Sequence, residues 1–94
     1  MAAVYILYSS TLGKFYTGSC VDILVRIDQH LSEYFPGAFT GNAKDWIIYF
    51  HLDGLGYQQA RKIEAHIKRM ESKKFIENLK TYPELSARLV TIYR

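Results

Sequence analysis

The chain has a single cysteine, Cys20, among its 94 residues. That excludes an internal disulfide and any zinc cluster built on cysteine. A reducing cytoplasm is the compartment that fits. The three histidines, His30, His51 and His66, show no zinc spacing. Proline is scarce, and no internal repeat, low-complexity stretch or linker interrupts the sequence. No apolar run approaches the roughly 18–20 residues needed to span a bilayer, so no membrane partner is expected. No basic, apolar, small-residue leader opens the chain, so secretion is not expected. No glycine-rich phosphate loop follows a strand, and no Ser-His-Asp nucleophile elbow is present.

What is there suffices for one small core. Apolar residues make up 49% of the chain and 14 side chains are aromatic, too many for a disordered segment. Two independent cores would need roughly 100 residues each, so one domain is expected, over residues 1–80. Residues 81–94 follow as a C-terminal tail or short helix.

Charge is unevenly placed. The net charge is +3, but residues 61–80 alone carry seven bases against three acids, leaving the remainder at −1. A polyanion such as a phosphate backbone is a natural partner for that stretch. The bland alternative is a solvated helix face.

Val4-Tyr5-Ile6-Leu7-Tyr8 is β-branched and aromatic and reads as a strand. Ser9 to Lys14 reads as a hairpin turn, and Phe15 to Gly18 as the returning strand. Asp22 caps a helix to about Glu33, with Ile23, Leu24, Ile27 and Leu31 on one face. Pro36, Gly37, Gly41 and Asn42 mark a loop. Trp46 to Leu52 is a third strand, broken by Asp53-Gly54 and Gly56. A helix from Tyr57 to about Met70 has Ala60, Ile63, Ile67 and Met70 as its apolar seam. Ser72 caps a further helix with Phe75, Ile76 and Leu79, and Pro83 ends that region. The expected fold is α/β: a small three-stranded antiparallel sheet flanked by helices, in the order β-β-α-β-α-α.

Some residues stand out chemically. Tyr5 and Tyr16 sit on neighbouring strands of one hairpin, where paired aromatics are usually packing residues. Arg26 and His30, four apart, flank the apolar face of the first helix. Arg26 is either a solvated base with its stem on the core edge or a planar fork for phosphate oxygens. Glu64 lies at the border of an apolar seam. It pairs with Lys68 at the favourable spacing of four, or it holds a Mg²⁺ ion completed by water and substrate phosphate.

In order, Ala3-Val4-Tyr5-Ile6-Leu7, Phe15-Tyr16-Thr17-Gly18-Ser19, Arg26-x-x-x-His30, Trp46 and Lys62-Ile63-Glu64 form a pattern. With the run Ser72-Lys73-Lys74-Phe75-Ile76-Glu77 behind them, they resemble the GIY-YIG nuclease family. The likeness is greatest to its small stand-alone bacterial members and covers about residues 3–80. It implies a DNA endonuclease that hydrolyses phosphodiesters with one divalent ion, Mg²⁺ or Mn²⁺. By the same likeness Tyr16, with Tyr5, orients or deprotonates the attacking water, and Gly18 keeps the backbone clear of the substrate. Arg26 stabilises transition-state charge, His30 contacts the phosphate or moves a proton, and Glu64 holds the ion. Lys68, Arg69, Lys73 and Lys74 become the DNA-binding bases. The partner is DNA, with branched or damaged DNA and a repair role among the possibilities, and the protein is a monomer or weak homodimer.

The pattern departs from the family in two places. Ala-Val-Tyr stands for Gly-Ile-Tyr and Tyr-Thr-Gly for Tyr-Ile-Gly, with the tyrosines and the final glycine kept. The polar residue many members carry before the third strand is one of Thr40, Asn42 and Lys44, and Asn78 is a candidate for a late asparagine. Two rivals share this sequence: a non-catalytic nucleic-acid-binding module on the same scaffold, and a structural or protein-interaction domain.

Overall fold

The computed structural model describes residues 1–22, Val25 and residues 45–94. Arg26, His30, Thr40, Asn42, Lys44 and the helix expected after Asp22 lie outside the described residues. Three strands, β1 (Ala2–Ser9), β2 (Lys14–Cys20) and β3 (Ile47–Leu55), form one antiparallel sheet in the order β2-β1-β3. Three helices follow: α1 (Tyr57–Met70), α2 (Lys73–Thr81) and α3 (Pro83–Ile92). The small antiparallel sheet flanked by helices that the sequence predicts is therefore present. The stretch after Pro83 is helical, its proline at the first helical turn where the missing N–H costs nothing.

Alternation along β1 assigns its residues to two faces. Ala2, Val4 and Ile6 join Ala60, Ile63 and Ile67 of α1, Ile76 and Leu79 of α2 and Leu89 of α3 in one core. Ala3, Tyr5 and Leu7 join Cys20 and Trp46 on the other face, with Tyr16 and Ile48 packed against them. The central strand is thus buried on both sides, which explains a near-continuous apolar run at 2–7. Strand β2 is an edge, so side chains from either face of the sheet reach it.

Two expectations need correction. Asp53-Gly54 does not break the third strand. The register passes from Val4↔Leu52 to Ala2↔Leu55, so the strand absorbs one extra residue as a bulge and continues to Leu55. Gly54 supplies the positive φ, +74°, that a bulge of this kind requires. Met70 is 45% exposed and leaves the apolar seam of α1, because the helix ends there. Glu71 follows in the left-handed conformation and closes the helix with its N–H on the Lys68 carbonyl.

The hairpin turn is tied down on both sides. Asp45, just before β3, accepts from the Ser9 hydroxyl at 2.6 Å and the Ser10 hydroxyl at 2.8 Å. It also accepts from the backbone N–H of Thr11 at 2.7 Å and the Thr11 hydroxyl at 2.9 Å. On the α2 side, the Lys73 ammonium donates to the Gly13 carbonyl at 3.1 Å. The Ser9 hydroxyl, with the other donors to Asp45, holds the carboxyl well below the usual carboxylate range. Such a group adds stability above the unfolded carboxyl's value of about 3.9, and this is lost as pH falls through the lower native value. Asp45→Asn is therefore expected to be less stable than the parent at neutral pH, with the difference shrinking below about pH 4. Urea unfolding at a series of pH values checks this, and a difference that does not change with pH contradicts it.

Candidate active site

Register places the hairpin tyrosines. Tyr5 stands opposite Gly18 and Leu7 opposite Tyr16, so Tyr5 and Tyr16 are diagonal neighbours on one face of adjacent strands. Tyr5 is 3% exposed, and its ring crosses directly over Gly18. A Cβ built at Gly18 would lie 2.5 Å from the Tyr5 hydroxyl oxygen and 2.7 Å from its ring carbon Cζ. The space left by the glycine is thus used by the Tyr5 phenol. Gly18→Ala is expected to push the phenol from its seat at a cost of about 1–3 kcal/mol, the usual range for overpacking. The urea midpoint and a tyrosine-ring NMR spectrum check it. A shifted Tyr5 spectrum with an unchanged midpoint would show that the ring yields freely, and an unchanged spectrum and midpoint would contradict the close approach.

Ser19, next along β2, points to the opposite face, where α1 packs. Its hydroxyl donates a short hydrogen bond to Glu64 Oε1. The second oxygen, Oε2, is 2.8 Å from the Lys68 ammonium, the i,i+4 pair the sequence anticipates. The Glu64 side chain is 20% exposed, so its carboxylate is held by two partners yet open to solvent. Lys68 also stands 6.0 Å from the centroid of the Tyr16 ring, within cation–π distance. Around the edge strand, then, Lys68 links Glu64 on the helix face to Tyr16 from the other face.

Beside Glu64 lies a cleft of about 380 Å³ between the end of β2 and α1. Ser19 and Glu64 line it, with Arg61 one helical turn earlier. The Arg61 guanidinium sits 5.8 Å from the Tyr57 ring centroid, and no carboxylate partners it among the described residues. One accessible carboxylate with a neighbouring hydroxyl is a hard oxygen donor set. It fits a Mg²⁺-type ion, which often takes one or two protein carboxylates and leaves the rest to water and phosphate. Among the described residues no group of three or more acidic, histidine or cysteine side chains gathers to hold a metal without such help.

The structure therefore places Tyr5, Tyr16 and Gly18 on one face of the hairpin and Glu64 on the other, with Lys68 reaching from Glu64 to Tyr16. The other bases expected to bind DNA are spread over neighbouring surfaces. Arg69 donates to the Tyr93 hydroxyl at 3.3 Å, an oxygen that also meets His66 Nδ1 at 2.8 Å. Lys73 serves the hairpin turn, and Lys74 is exposed on the first turn of α2. Ser19 and Arg61 are the contributors that sequence reasoning passed over. Strand alternation could have found Ser19, since it must face the helix side if Tyr16 and Gly18 face the other. Arg61 carried a helical signal too, three residues before Glu64 and so on the same face.

No described helix is long and apolar enough to cross a membrane. Residues 1–78 match the family model described as the GIY-YIG catalytic domain. No curated protein and no solved structure matches the chain.

Proposed function

Because the chain belongs to the GIY-YIG catalytic-domain family, whose activity is that of nucleases acting on DNA, we propose that it is an endonuclease using one divalent ion. The observation that carries this reading is the set at β2: a solvent-open carboxylate, Glu64, and a lysine, Lys68, that reaches from it to Tyr16, the diagonal neighbour of Tyr5. A binding module has no need of a carboxylate at its phosphate surface, since that charge repels the ligand.

Glu64 would hold the ion, Mg²⁺ or Mn²⁺, with Ser19 keeping its carboxylate turned to β2. The ion, when bound, supplies Lewis-acid stabilisation of charge on the scissile phosphate and the leaving oxygen. Tyr16, the less buried tyrosine of the pair, orients the attacking water and takes or relays its proton. Tyr5, seated over Gly18, fixes the hydroxyl-bearing edge of the site. Arg26 neutralises charge that gathers on the phosphoryl oxygens, and His30 contacts the same phosphate or carries a proton. Lys68, Lys73 and Lys74 contact the strand backbone. Arg61 extends the positive wall on the Glu64 side.

A nicking assay on supercoiled DNA tests the proposal, run with Mg²⁺, with Mn²⁺ and with chelator. Nicks that need the ion support it. Salt-dependent DNA binding with no nicks under any of these conditions instead favours the non-catalytic binding module.

A further inference from the structure

A second cleft, of about 460 Å³, opens between β2 and the α1–α2 corner. Its floor is apolar: Ile67 and Ile76 are buried and Phe15 is half-buried. Tyr16 forms one wall. Three lysines stand on its lining, Lys14, Lys68 and Lys73, against one carboxylate, Glu71. That is the size and character of a ligand site, an apolar cavity of roughly 300–1,000 Å³ with a few placed polar groups.

We infer that this cleft seats one unstacked base of the DNA strand, with the flanking phosphates held by Lys14, Lys68 and Lys73. The choice of DNA as the polyanion rests on the nuclease reading; the seating of a base rests on the cleft itself. Two features select this occupant. Tyr16 and Lys68 belong both to the cleft and to the Glu64 cluster, so a strand at the cluster passes over the mouth of the cleft. An apolar floor beside a cationic rim also matches a nucleotide, whose flat base is apolar on its faces and whose phosphates are anionic. Sites that track single strands combine these same elements, a basic groove and side chains on which bases lie. The lysines have donors to spare. An ammonium carries three N–H groups, and Lys73 uses one on Gly13, Lys68 one on Glu64. The Lys14 ammonium makes neither of the ion pairs found among the described residues, and its backbone lies in the ladder opposite Ser9.

An unpaired or displaced nucleotide is therefore a better substrate than a continuous duplex. A base can enter the cleft only after leaving its stack, and that costs least where pairing is already absent.

Backbone-amide NMR on the isotope-labelled full chain, with chelator present, tests the inference. The probes are a short oligothymidylate, an abasic backbone of the same length, a matched duplex and thymidine monophosphate. The expected result is that oligothymidylate shifts the amides of Phe15, Tyr16, Thr17, Ser72 and Ile76. The abasic strand should leave these in place, shift only residues bearing the lysines, and bind about tenfold or more weakly. The duplex should also leave the floor residues unmoved. Lys14→Ala should weaken both single strands by the same factor, since it removes a phosphate contact only. Equal affinity and equal shifts for the abasic and base-bearing strands overturn the inference. So does thymidine monophosphate binding as tightly as the oligomer, which would make the cleft a free-nucleotide site. Cleavage assays with Mg²⁺ separate the two readings. Floor-residue shifts without cleavage end the nuclease reading and keep the base site, and cleavage without them does the reverse.

Discussion

Glu64→Gln is expected to abolish cation-dependent DNA cleavage while leaving the fold intact. The glutamine side-chain oxygen still accepts from Ser19, so the link from α1 to β2 survives. What is lost is charge: the pair with Lys68, and the site for the ion. A surface ion pair is worth about 0–1 kcal/mol, too little to unfold the domain. Lewis-acid stabilisation is worth several kcal/mol, which corresponds to a rate loss of about 10³-fold or more. Single-turnover cleavage, the urea midpoint and Mn²⁺ binding by electron paramagnetic resonance read the three effects separately. Parent-like cleavage with parent-like Mn²⁺ binding would reduce Glu64 to a helix carboxylate paired with Lys68. The partner gives a second sign to check. Lys68 holds the oxygen an ion would need and adds like charge beside it. Lys68→Met should therefore tighten Mn²⁺ binding by about tenfold, as removal of a nearby positive charge does.

Arg26→Ala is expected to slow cleavage by about 10²- to 10³-fold while weakening DNA binding much less. A preorganised guanidinium is most useful when charge redistributes around the scissile phosphate, so its loss falls on the rate. The double variant Lys73→Ala with Lys74→Ala should show the opposite pattern. On the proposed reading those bases would contact backbone phosphates rather than the reacting bond. Binding should weaken and its salt slope should fall by up to about 2. The Lys73 contact with Gly13 is lost as well, so the urea midpoint is measured alongside. One fluorescence-anisotropy salt titration and one single-turnover series on the same DNA make the comparison. Equal losses of binding and rate in the arginine variant would make Arg26 an ordinary phosphate contact. An unchanged salt slope in the lysine variant would leave the basic stretch as a solvated face.

Local physics was legible in the sequence where a pattern repeats. β-Branched and aromatic composition marked the first hairpin strand, and the 3.6-residue spacing of Ala60, Ile63 and Ile67 marked α1. The Ser72 cap was readable too, and its hydroxyl accepts from the Phe75 N–H at 3.1 Å. Contacts distant in sequence left no such trace. Asp45 reaches Ser9 across 36 residues and Glu64 reaches Ser19 across 45, and no local pattern names either serine as the partner. Gly18 was legible through the family likeness as a position where the backbone must stay clear, and the register adds that the Tyr5 phenol lies across it. Gly54 misled: a strand can pass through a glycine when the extra residue becomes a bulge.

The most direct test of the account is single-turnover cleavage of end-labelled DNA by the parent protein. Single-stranded, duplex, flapped and branched substrates are run with Mg²⁺ and with chelator, with Glu64→Gln as the control. Strand scission is expected only with the ion, fastest where nucleotides are unpaired, and none above background in the Glu64 variant. Binding of every substrate without scission of any, or equal scission by parent and variant, would contradict it.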